Sequence, residues 1–237
     1  MILATDLDGT FLAGSDAARG RLIGRFLERP DARLVYVTGR SVRSVLSLID
    51  DGTLPAPDAM ICDVGTFIAH GDGSPLTGPA MNGIEARWRG KAEPLREAMA
   101  AFPSLELQEH FGPNRLGYYY RDAAVIEPAS AAVRELGCDP LDSDGIYFDV
   151  LPRGVNKGST LRALMRSWAI DDDEVLVAGD TLNDLAMLHS GYRAVAVGGA
   201  EAGLLERLQQ APHIHRAEAA GCDGIVEALD RFAAEAS

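Results

Sequence analysis

Two aspartates stand two positions apart near the start of the sequence. The chain begins MILATDLDGTFL, so Asp6 and Asp8 follow directly after a short apolar run. Residues i and i+2 of a strand point to the same side, and neighbouring carboxylates repel each other unless a cation lies between them. The pair therefore predicts a cation site where a strand ends.

Two more carboxylates follow another apolar run. Asp180 and Asp184 come directly after EVLVAG at 174–179. An all-oxygen, carboxylate-rich site without paired His or Cys suits Mg²⁺, which also retains waters and binds substrate phosphate. We therefore expect one Mg²⁺ site, with the ligands Asp6, Asp8, Asp180 and Asp184.

Positive charge and hydrogen-bond donors follow other predicted elements. Thr38, Gly39 and Arg40 come after the run RLVYV, and Lys157 opens a predicted helix. Ammonium, hydroxyl and free backbone N–H groups all donate to phosphate oxygens. We assign phosphate binding to Thr38, Gly39, Lys157 and Asn183. The combination predicts phosphoryl transfer, in which one aspartate attacks phosphorus and a neighbouring acid protonates the leaving oxygen and activates water.

These residues need a scaffold that brings strand ends together. Short apolar runs rich in Val, Ile and Leu predict strands buried on both faces of a parallel sheet: 2–5, 33–38, 59–64, 174–179 and 193–197. Apolar residues spaced three or four apart predict helices between them: 18–29, 41–50, 159–169 and 182–190. The alternation predicts a doubly wound, Rossmann-like α/β core, whose sites lie beyond the carboxyl ends of the strands.

The alternation of strands and helices breaks in the middle of the chain. Between 79 and 153 the sequence predicts helices at 91–102 and 124–137 and strands elsewhere, LELQEH and RLGYYYRD forming an antiparallel pair and GIYFDVLP a further strand. Turn-rich segments flank this stretch. We predict an inserted α+β domain at 79–153, called the inserted block below, in a core formed by 1–78 and 154–237.

Composition narrows the class of partner. Lys plus Arg number 22 and Asp plus Glu number 35, a net charge of −13 that disfavours nucleic acid and anionic membranes. No apolar stretch reaches the length of a membrane span, which excludes membrane pumps that phosphorylate an aspartate. Cys62, Cys138 and Cys222 are odd in number and far apart, so we expect buried thiols, a cytoplasmic protein and no disulfide framework. A monomer is favoured.

The chemistry-bearing segments resemble the motifs of the haloacid dehalogenase superfamily of phosphatases. They occur in the same order as DLDGT at 6–10, TGR at 38–40, Lys157 in NKGSTLRAL and GDTLND at 179–184. VTGRS at 37–41, VGT at 64–66, FDVLPRGVNKG at 148–158 and the closing AEAAGCDGIVEAL are similar to sucrose-phosphate phosphatases and related sugar-phosphate phosphatases. Phe67 stands where the plant enzymes have an acidic residue, which leaves the sugar open.

The resemblance implies a role for each matched residue. Asp6 is expected to be the nucleophile and a metal ligand. Asp8 is expected to be the general acid and base, with its backbone carbonyl on the metal. Asp180 is expected to bind Mg²⁺ directly, and Asp184 directly or through water. In this branch the inserted block is a cap that covers the substrate.

Several residues have both a functional and an ordinary interpretation. Arg40 is either a phosphate ligand or a surface arginine at a helix start. Arg115 and Tyr119 are candidate ligands for sugar hydroxyls, whereas alternation places Tyr118 and Tyr120 in the core of the inserted block. His213 and His215 have the spacing of a strand metal pair but no third ligand nearby, so we interpret them as ordinary surface residues.

These observations predict a Mg²⁺-dependent phosphatase for a small phosphorylated sugar or sugar conjugate, such as sucrose 6-phosphate. The alternatives are a phosphatase for another organic phosphate, such as mannosyl-3-phosphoglycerate or a glucosylglycerate precursor, and a phosphosugar mutase. A signalling receiver also takes up phosphate on an aspartate, but in a chain of half this length and at a middle strand. A binding module without turnover gains nothing from Asp8 beside Asp6.

Overall fold

The fold is taken from a computed structural model that describes residues 1–27, 29–109, 111–209, 211 and 213–235. Glu28, in the first predicted helix, and His110, which ends the predicted strand LELQEH, lie outside the described residues. The strands are β1 Ile2–Thr5, β2 Arg33–Val37, β3 Ala59–Cys62, β4 Phe67–His70, β5 Leu105–Leu107, β6 Leu116–Tyr120, β7 Cys138–Ser143, β8 Tyr147–Pro152, β9 Val175–Gly179, β10 Arg193–Gly198 and β11 Ile214–Ala220. The helices are α1 Asp16–Leu27, α2 Val42–Asp50, α3 Pro79–Trp88, α4 Ala92–Met99, α5 Ile126–Glu135, α6 Lys157–Ser167, α7 Leu185–Leu188, α8 Ala202–Arg207 and α9 Gly221–Glu235.

A parallel sheet forms the centre of the larger unit. In the described residues its seven strands have the order β11-β10-β9-β1-β2-β3-β4, all parallel except β4, which runs antiparallel to β3. The predicted doubly wound α/β core is confirmed. β1 lies between β2 and β9, so three of the predicted site segments begin at adjacent strand ends.

The core strands are apolar on both faces because helices cover both. Ile2 and Ala4 of β1 pack in one cluster with residues of α3, α6, α7 and α8. Leu3, between them, packs in a second cluster with residues of α1, α2 and α9. Successive side chains of a strand point to opposite faces, so burial on both sides requires a continuous apolar run. This is the pattern from which the strands were predicted.

A second sheet lies between α3 and α6 in the chain. Over the described part of the inserted block, four antiparallel strands have the order β5-β6-β8-β7. Tyr118, Tyr120 and Phe148 are buried on the face that α4 and α5 cover, so the predicted burial of the two tyrosines is confirmed. Tyr119 and Tyr147 are cross-strand neighbours on the opposite face.

Several elements were not predicted. β4, β7 and β11 are edge strands, and α3, α8 and α9 also lack a sequence prediction. Met81 and Ile84 of α3 pack in the apolar cluster of the parallel sheet. The domain boundaries at 79 and 153 stay a prediction. No helix of the described chain is both long and apolar enough to cross a bilayer.

Candidate active site

Asp6 is fixed at the carboxyl end of β1. Its backbone N–H donates to the carbonyl of Ala178 in β9 (2.9 Å), which continues the strand pairing by one residue. The following turn has Gly9 at φ +76°, and a Cβ there would lie 2.0 Å from Oδ2 of Asp180. Only glycine fits this approach. The turn also lets the Thr10 hydroxyl donate to Oδ1 of Asp180 (2.6 Å).

Asp6 shares the buried cation Lys157 with Asp184. Lys157 Nζ donates to Oδ1 of both carboxylates, each at 2.7 Å, and its side chain is fully buried. The lysine is held because α6 begins there: the Asn156 side chain accepts from the Ser159 backbone N–H (2.9 Å), and the Ser159 hydroxyl accepts from the Asn156 N–H (3.0 Å). Lys157 is thus brought to Asp6 as predicted.

Three carboxylates meet at this point. Oxygens of Asp6, Asp180 and Asp184 all lie within 4.8 Å of one another. The Asp8 carboxylate does not belong to this described cluster, which is compatible with the expected use of its backbone carbonyl alone. Three carboxylates and one ammonium leave excess negative charge, and the all-oxygen donor set fits Mg²⁺.

The protonation of the cluster reflects burial and crowding. Burial raises the pKa of Asp6 well above its ordinary value, with repulsion from Asp184 and Asp180 adding to it and Lys157 opposing it. Burial also raises the pKa of Asp180 to about 6, against the hydrogen bond from Thr10. Burial alone would lower the pKa of Lys157, but the charges of Asp184 and Asp6 outweigh it and leave the pKa raised. A bound divalent cation would relieve this repulsion.

Asp184 has a structural and an electrostatic role at once. Its Oδ2 accepts from the backbone N–H groups of Asp180 (3.0 Å) and Thr181 (3.1 Å), and its Oδ1 accepts from Lys157. It stabilises the turn after β9 and also orients the lysine. With both oxygens already engaged by protein donors, Asp184 fits an indirect metal contact better than Asp180 does.

The TGR segment continues from β2. Thr38 is fully buried, and its hydroxyl oxygen accepts from the backbone N–H of Arg40 (3.1 Å). Arg40 grips Asp8 with two hydrogen bonds, Nε to Oδ2 (2.7 Å) and Nη2 to Oδ1 (2.6 Å). The side chain that caps α2 is that of Ser41, which accepts from Ser44 N–H. Arg40 therefore does not cap α2; its side chain forms an ion pair with Asp8 instead.

A cavity of about 890 Å³ opens above these groups, between the parallel sheet and the open face of the second sheet. Gly39 and Asn183 line its floor together with Asp6 and Asp8. Oδ1 of Asn183 is buried without a hydrogen-bond partner among the described residues. It is an acceptor, so a contact of Asn183 with a phosphate oxygen would have to come from its Nδ2 amide group instead. Of the predicted phosphate-binding and metal-binding residues, those that line the cavity are Asp6, Asp8, Gly39, Asp180 and Asn183. Thr38, Lys157 and Asp184 are buried behind this lining.

Tyr119 and Arg115 also line the cavity, but their surroundings differ. Tyr119 is 43% exposed, and its ring centroid lies 5.7 Å from that of Tyr147. Arg115 is only 5% exposed and is bound by two carboxylates: Nε donates to Oδ1 of Asp63 (3.0 Å) and Nη1 donates to Oδ1 of Asp149. We call Asp63, Arg115 and Asp149 the Arg115 cluster.

Sequence reasoning missed Asp63 and Asp149. Asp149 stands in the otherwise apolar strand FDVLP, and a carboxylate in such a run is rarely buried unless it is paired. That signal would have marked it as an ion-pair member. Asp63 carried no comparable signal, because its partner Arg115 is distant in sequence and comes from another sheet.

The remaining candidates lie outside the cavity lining. His215 Nε2 lies 2.9 Å from Oε1 of Glu227, and His213 is exposed. Neither belongs to a potential metal-ligating cluster in the described chain. His215 is mostly buried, so its interpretation as an ordinary surface residue was wrong. Cys62, Cys138 and Cys222 are buried free thiols, which confirms that prediction.

The parallel sheet with clustered aspartates at its strand ends is the arrangement expected of the haloacid dehalogenase superfamily of phosphatases. Residues 1–233 match the family Sucrose-6F-phosphate phosphohydrolase, and the chain belongs to this family. The predicted resemblance and enzyme class are both confirmed.

Similar proteins include enzymes of glycoside phosphate metabolism. The chain is 45% identical over 233 residues to a glucosylglycerol-phosphate synthase of Pseudomonas anguilliseptica, covering 98% of this chain and 31% of that protein. It is 30% identical over 239 residues to the mannosylfructose-phosphate phosphatase of Agrobacterium fabrum, covering 96% and 95%. The chain thus spans about a third of the first relative's length and nearly all of the second's.

A solved structure extends the similarity to the fold. The sucrose-phosphatase of Synechocystis sp. PCC6803, determined in complex with sucrose and phosphate, matches with a TM-score of 0.87 and 26% identity. The match covers 98% of this chain and 97% of that one.

Proposed function

We propose that the protein hydrolyses the phosphate monoester of a small sugar or sugar conjugate through an aspartyl-phosphate, with Mg²⁺ as its cofactor. The observation that carries the proposal is the contact of buried Lys157 with Asp6 and Asp184, because Asp6 lines a cavity large enough for a glycoside. This arrangement positions a carboxylate and a cation where a phosphate would enter.

The residues divide the reaction into two steps. Asp6 attacks phosphorus, the bond from phosphorus to the sugar oxygen breaks, and Asp8 gives its proton to that oxygen. Asp8 then takes a proton from water, which attacks the phosphorus and releases inorganic phosphate and Asp6. Lys157, Thr38, Gly39 and Asn183 hold the phosphate oxygens during both steps.

Asp6 and Asp180 would hold Mg²⁺ directly, Asp184 through water, and Asp8 through its backbone carbonyl. The ion supplies positive charge to the phosphate oxygens and makes the closeness of the carboxylates tolerable. The raised pKa of Asp6 and of Asp180 supports this role, because both follow from burial and crowding that a cation offsets.

The inserted block is proposed to be the cap, with boundaries at 79 and 153. Its open sheet face provides the far wall of the cavity, where Tyr119 and Arg115 lie. An aromatic surface and polar groups together suit a polyol and exclude bulk water from the reacting phosphate. We further propose a cytoplasmic location, which the free cysteines support. We also propose a monomeric state and no nucleic acid or membrane partner.

Among the sugar conjugates, glucosylglycerol phosphate is the candidate that the comparisons favour. The 45% identity extends over 98% of this chain but over 31% of the Pseudomonas synthase, so the similarity concerns one part of a larger protein. A phosphatase-like part in a protein named for making a phosphorylated glycoside supports the removal of that phosphate as the reaction. Sucrose 6-phosphate and mannosylfructose phosphate are the next candidates.

The test is a panel of phosphate esters assayed with Mg²⁺ and ranked by kcat/KM: glucosylglycerol phosphate, sucrose 6-phosphate, mannosylfructose phosphate and mannosyl-3-phosphoglycerate. We expect free phosphate from at least one glycoside, and glucosylglycerol phosphate to rank first. Mass spectrometry of the products separates hydrolysis from isomerisation by a mutase. Hydrolysis of p-nitrophenyl phosphate without hydrolysis of any glycoside phosphate would contradict the proposal.

A further inference from the structure

The Arg115 cluster lies on the wall of the substrate cavity, although the expected chemistry does not require it. Its three side chains are each at least nine-tenths buried, with exposed fractions of 5%, 2% and 5% for Arg115, Asp63 and Asp149. Two carboxylates share one guanidinium, so the cluster carries one negative charge in excess. A buried charge of this kind is costly unless a hydrogen-bond donor reaches it.

The two carboxylates of the cluster are satisfied unequally. Oδ1 of Asp63 accepts from Arg115 Nε (3.0 Å) and from the Gly112 backbone N–H (2.9 Å). Asp149 accepts at Oδ1 from Arg115 Nη1, and Asp149 lines the cavity. In the described chain no group donates to Oδ2 of Asp149 or to Oδ2 of Asp63, and neither oxygen is sealed from solvent. Of the two residues only Asp149 lines the cavity, so its Oδ2 is the free acceptor that a bound molecule can reach.

A glycine permits this arrangement. Gly117 of β6 is the register partner of Asp149 in β8. A Cβ at position 117 would lie 2.9 Å from Arg115 Nη1 and 2.6 Å from Gln108 Oε1. The absence of a side chain there opens the path by which Arg115 crosses the sheet face to Asp149. Glycine within a strand often marks such a close approach.

We propose that Asp149 determines substrate specificity by accepting a hydrogen bond from a hydroxyl group of the sugar, with Arg115 and Asp63 as its positioning residues. This assignment rests on the proposed function. A hydroxyl donor fills the free acceptor and stabilises the excess charge. Burial raises the pKa of Asp149, with Arg115 opposing, so a ligand that stabilises the carboxylate gains affinity from this contact. Arg115 thus acts on the sugar through Asp149.

The chemistry defines the ligand class. The acceptor suits a hydrogen-bond donor, which in a sugar is a hydroxyl group, whereas a second phosphate or carboxylate at this place would be repelled. A site built to accept from a substrate hydroxyl strongly rejects an analogue that lacks it, because the buried acceptor is then left unpaired. Asp149 is therefore expected to select polyols that place a hydroxyl group at Asp149 while their phosphate lies at Asp6.

Two variants test the assignment against a matched control. Asp149→Asn removes the excess charge at constant size, and Gly117→Ala displaces the flexible ends of Arg115 and Gln108 at little cost to the backbone. Asp142→Asn is the control, because Asp142 lies on the neighbouring strand β7, accepts from the Tyr120 hydroxyl (2.6 Å) and is outside the cavity lining. Thermal melts establish that each variant is folded.

Each protein is assayed with glucosylglycerol phosphate, sucrose 6-phosphate and p-nitrophenyl phosphate, which has no hydroxyl group to offer. We expect kcat/KM for the better glycoside phosphate to fall at least about tenfold in both variants, the size of a lost hydrogen bond to a charged group. The value for p-nitrophenyl phosphate is expected to stay within about twofold, and the control to match the wild type. A general loss of structure would instead lower kcat/KM for the glycoside phosphate and for p-nitrophenyl phosphate together.

A second readout separates this proposal from the proposed function. Glucosylglycerol and sucrose are tested as competitive inhibitors of p-nitrophenyl phosphate hydrolysis, which requires no turnover of a sugar phosphate. Weaker inhibition of both variants supports the assignment even if the wild type hydrolyses none of the glycoside phosphates. Three results would each overturn the assignment. They are equal inhibition of the wild type and Asp149→Asn, no inhibition of the wild type, and parallel losses of kcat/KM for the glycoside phosphate and p-nitrophenyl phosphate.

Discussion

The guanidinium of Arg40 forms two parallel hydrogen bonds with the carboxylate of Asp8, at 2.7 and 2.6 Å. These bonds raise the pKa of Arg40, so the arginine stays charged. Asp8 is more than half exposed, and without this grip its side chain would sample many rotamers. The pair therefore fixes the carboxylate of Asp8 at the edge of the cavity. Because both oxygens accept from Arg40, one of these hydrogen bonds has to break before Asp8 can carry and deliver a proton.

Replacing Arg40 distinguishes positioning of Asp8 from phosphate binding. Arg40→Lys keeps the positive charge but loses the two-pronged geometry. We expect kcat with the best glycoside phosphate to fall roughly tenfold while KM changes little, because general acid catalysis depends on geometry. Steady-state kinetics measure both, with the surface change Arg121→Lys as the control. A rise in KM at constant kcat would instead favour Arg40 as a phosphate ligand.

Asp6→Asn separates catalysis from stability. Loss of the nucleophile is expected to lower kcat on the order of 10⁴-fold. Because Asp6 is crowded by Asp184 and Asp180, its neutral replacement is expected to leave the melting temperature in EDTA unchanged or higher. Phosphate release and calorimetry provide the two readouts, and Asp173→Asn, on the exposed surface, is the matched control. Retained turnover would show that another group attacks phosphorus.

Removing the metal is expected to leave the carboxylates of Asp6, Asp180 and Asp184 repelling each other, and the stability of the protein should then depend on pH. EDTA is expected to abolish activity and Mg²⁺ to restore it.

Burial raises the pKa of Asp180 to about 6, above its ordinary value of 3.8, so between these values the folded protein binds more protons than the unfolded chain. In EDTA the stability that this carboxyl contributes is therefore fully present below about pH 3.8 and is lost as the pH rises from there through about 6.

The variant Asp180→Asn isolates that contribution. In EDTA its melting temperature is expected to exceed that of the wild type at pH 7.5 by more than at pH 5. With Mg²⁺ at pH 7.5 the order is expected to reverse, because the wild type gains a ligand that the variant binds less well. Scanning calorimetry at the two pH values measures this. A pH-independent difference would contradict the assignment of a titrating Asp180.

The three thiols are expected to be inert in the folded protein. Burial raises the pKa of Cys222 to about 11 and raises the pKa of Cys62 and of Cys138 as well, so little thiolate forms near neutral pH. Ellman's reagent at pH 8 should label fewer than one thiol within an hour in the native protein and all three in guanidinium chloride. Rapid native labelling would show that one of them lies in a more open environment.

The sequence alone predicted those strands whose position is determined by burial of apolar side chains. β1, β2, β9 and β10 are buried on both faces, so their apolar runs identified them without knowledge of their neighbours. The convergence of Asp6 and Asp184 followed from the rule that parallel strands end at one edge, whereas Lys157 begins α6 and follows no strand of the parallel sheet. Strand order itself was not needed for that inference.

The missed elements depend on tertiary context. β7 has the sequence CDPLDS, with a proline and two aspartates that disfavour strands, and it exists as an edge strand paired with β8. β11 is an edge strand with alternating partial burial, and β4 has only four residues. The Arg115 cluster required the position of one sheet over another, which no local pattern encodes.

The position of β1 between β2 and β9 has a consequence for protein synthesis. A ribosome completes β1 and β2 early, but the partner on the other edge of β1 is translated only after the whole inserted block. Until β9 is made, that edge of β1 is exposed and can pair with another chain, and Asp6 lacks its backbone hydrogen bond to Ala178. The proposed nucleophile is therefore anchored on both sides of β1 only after β9 has been translated.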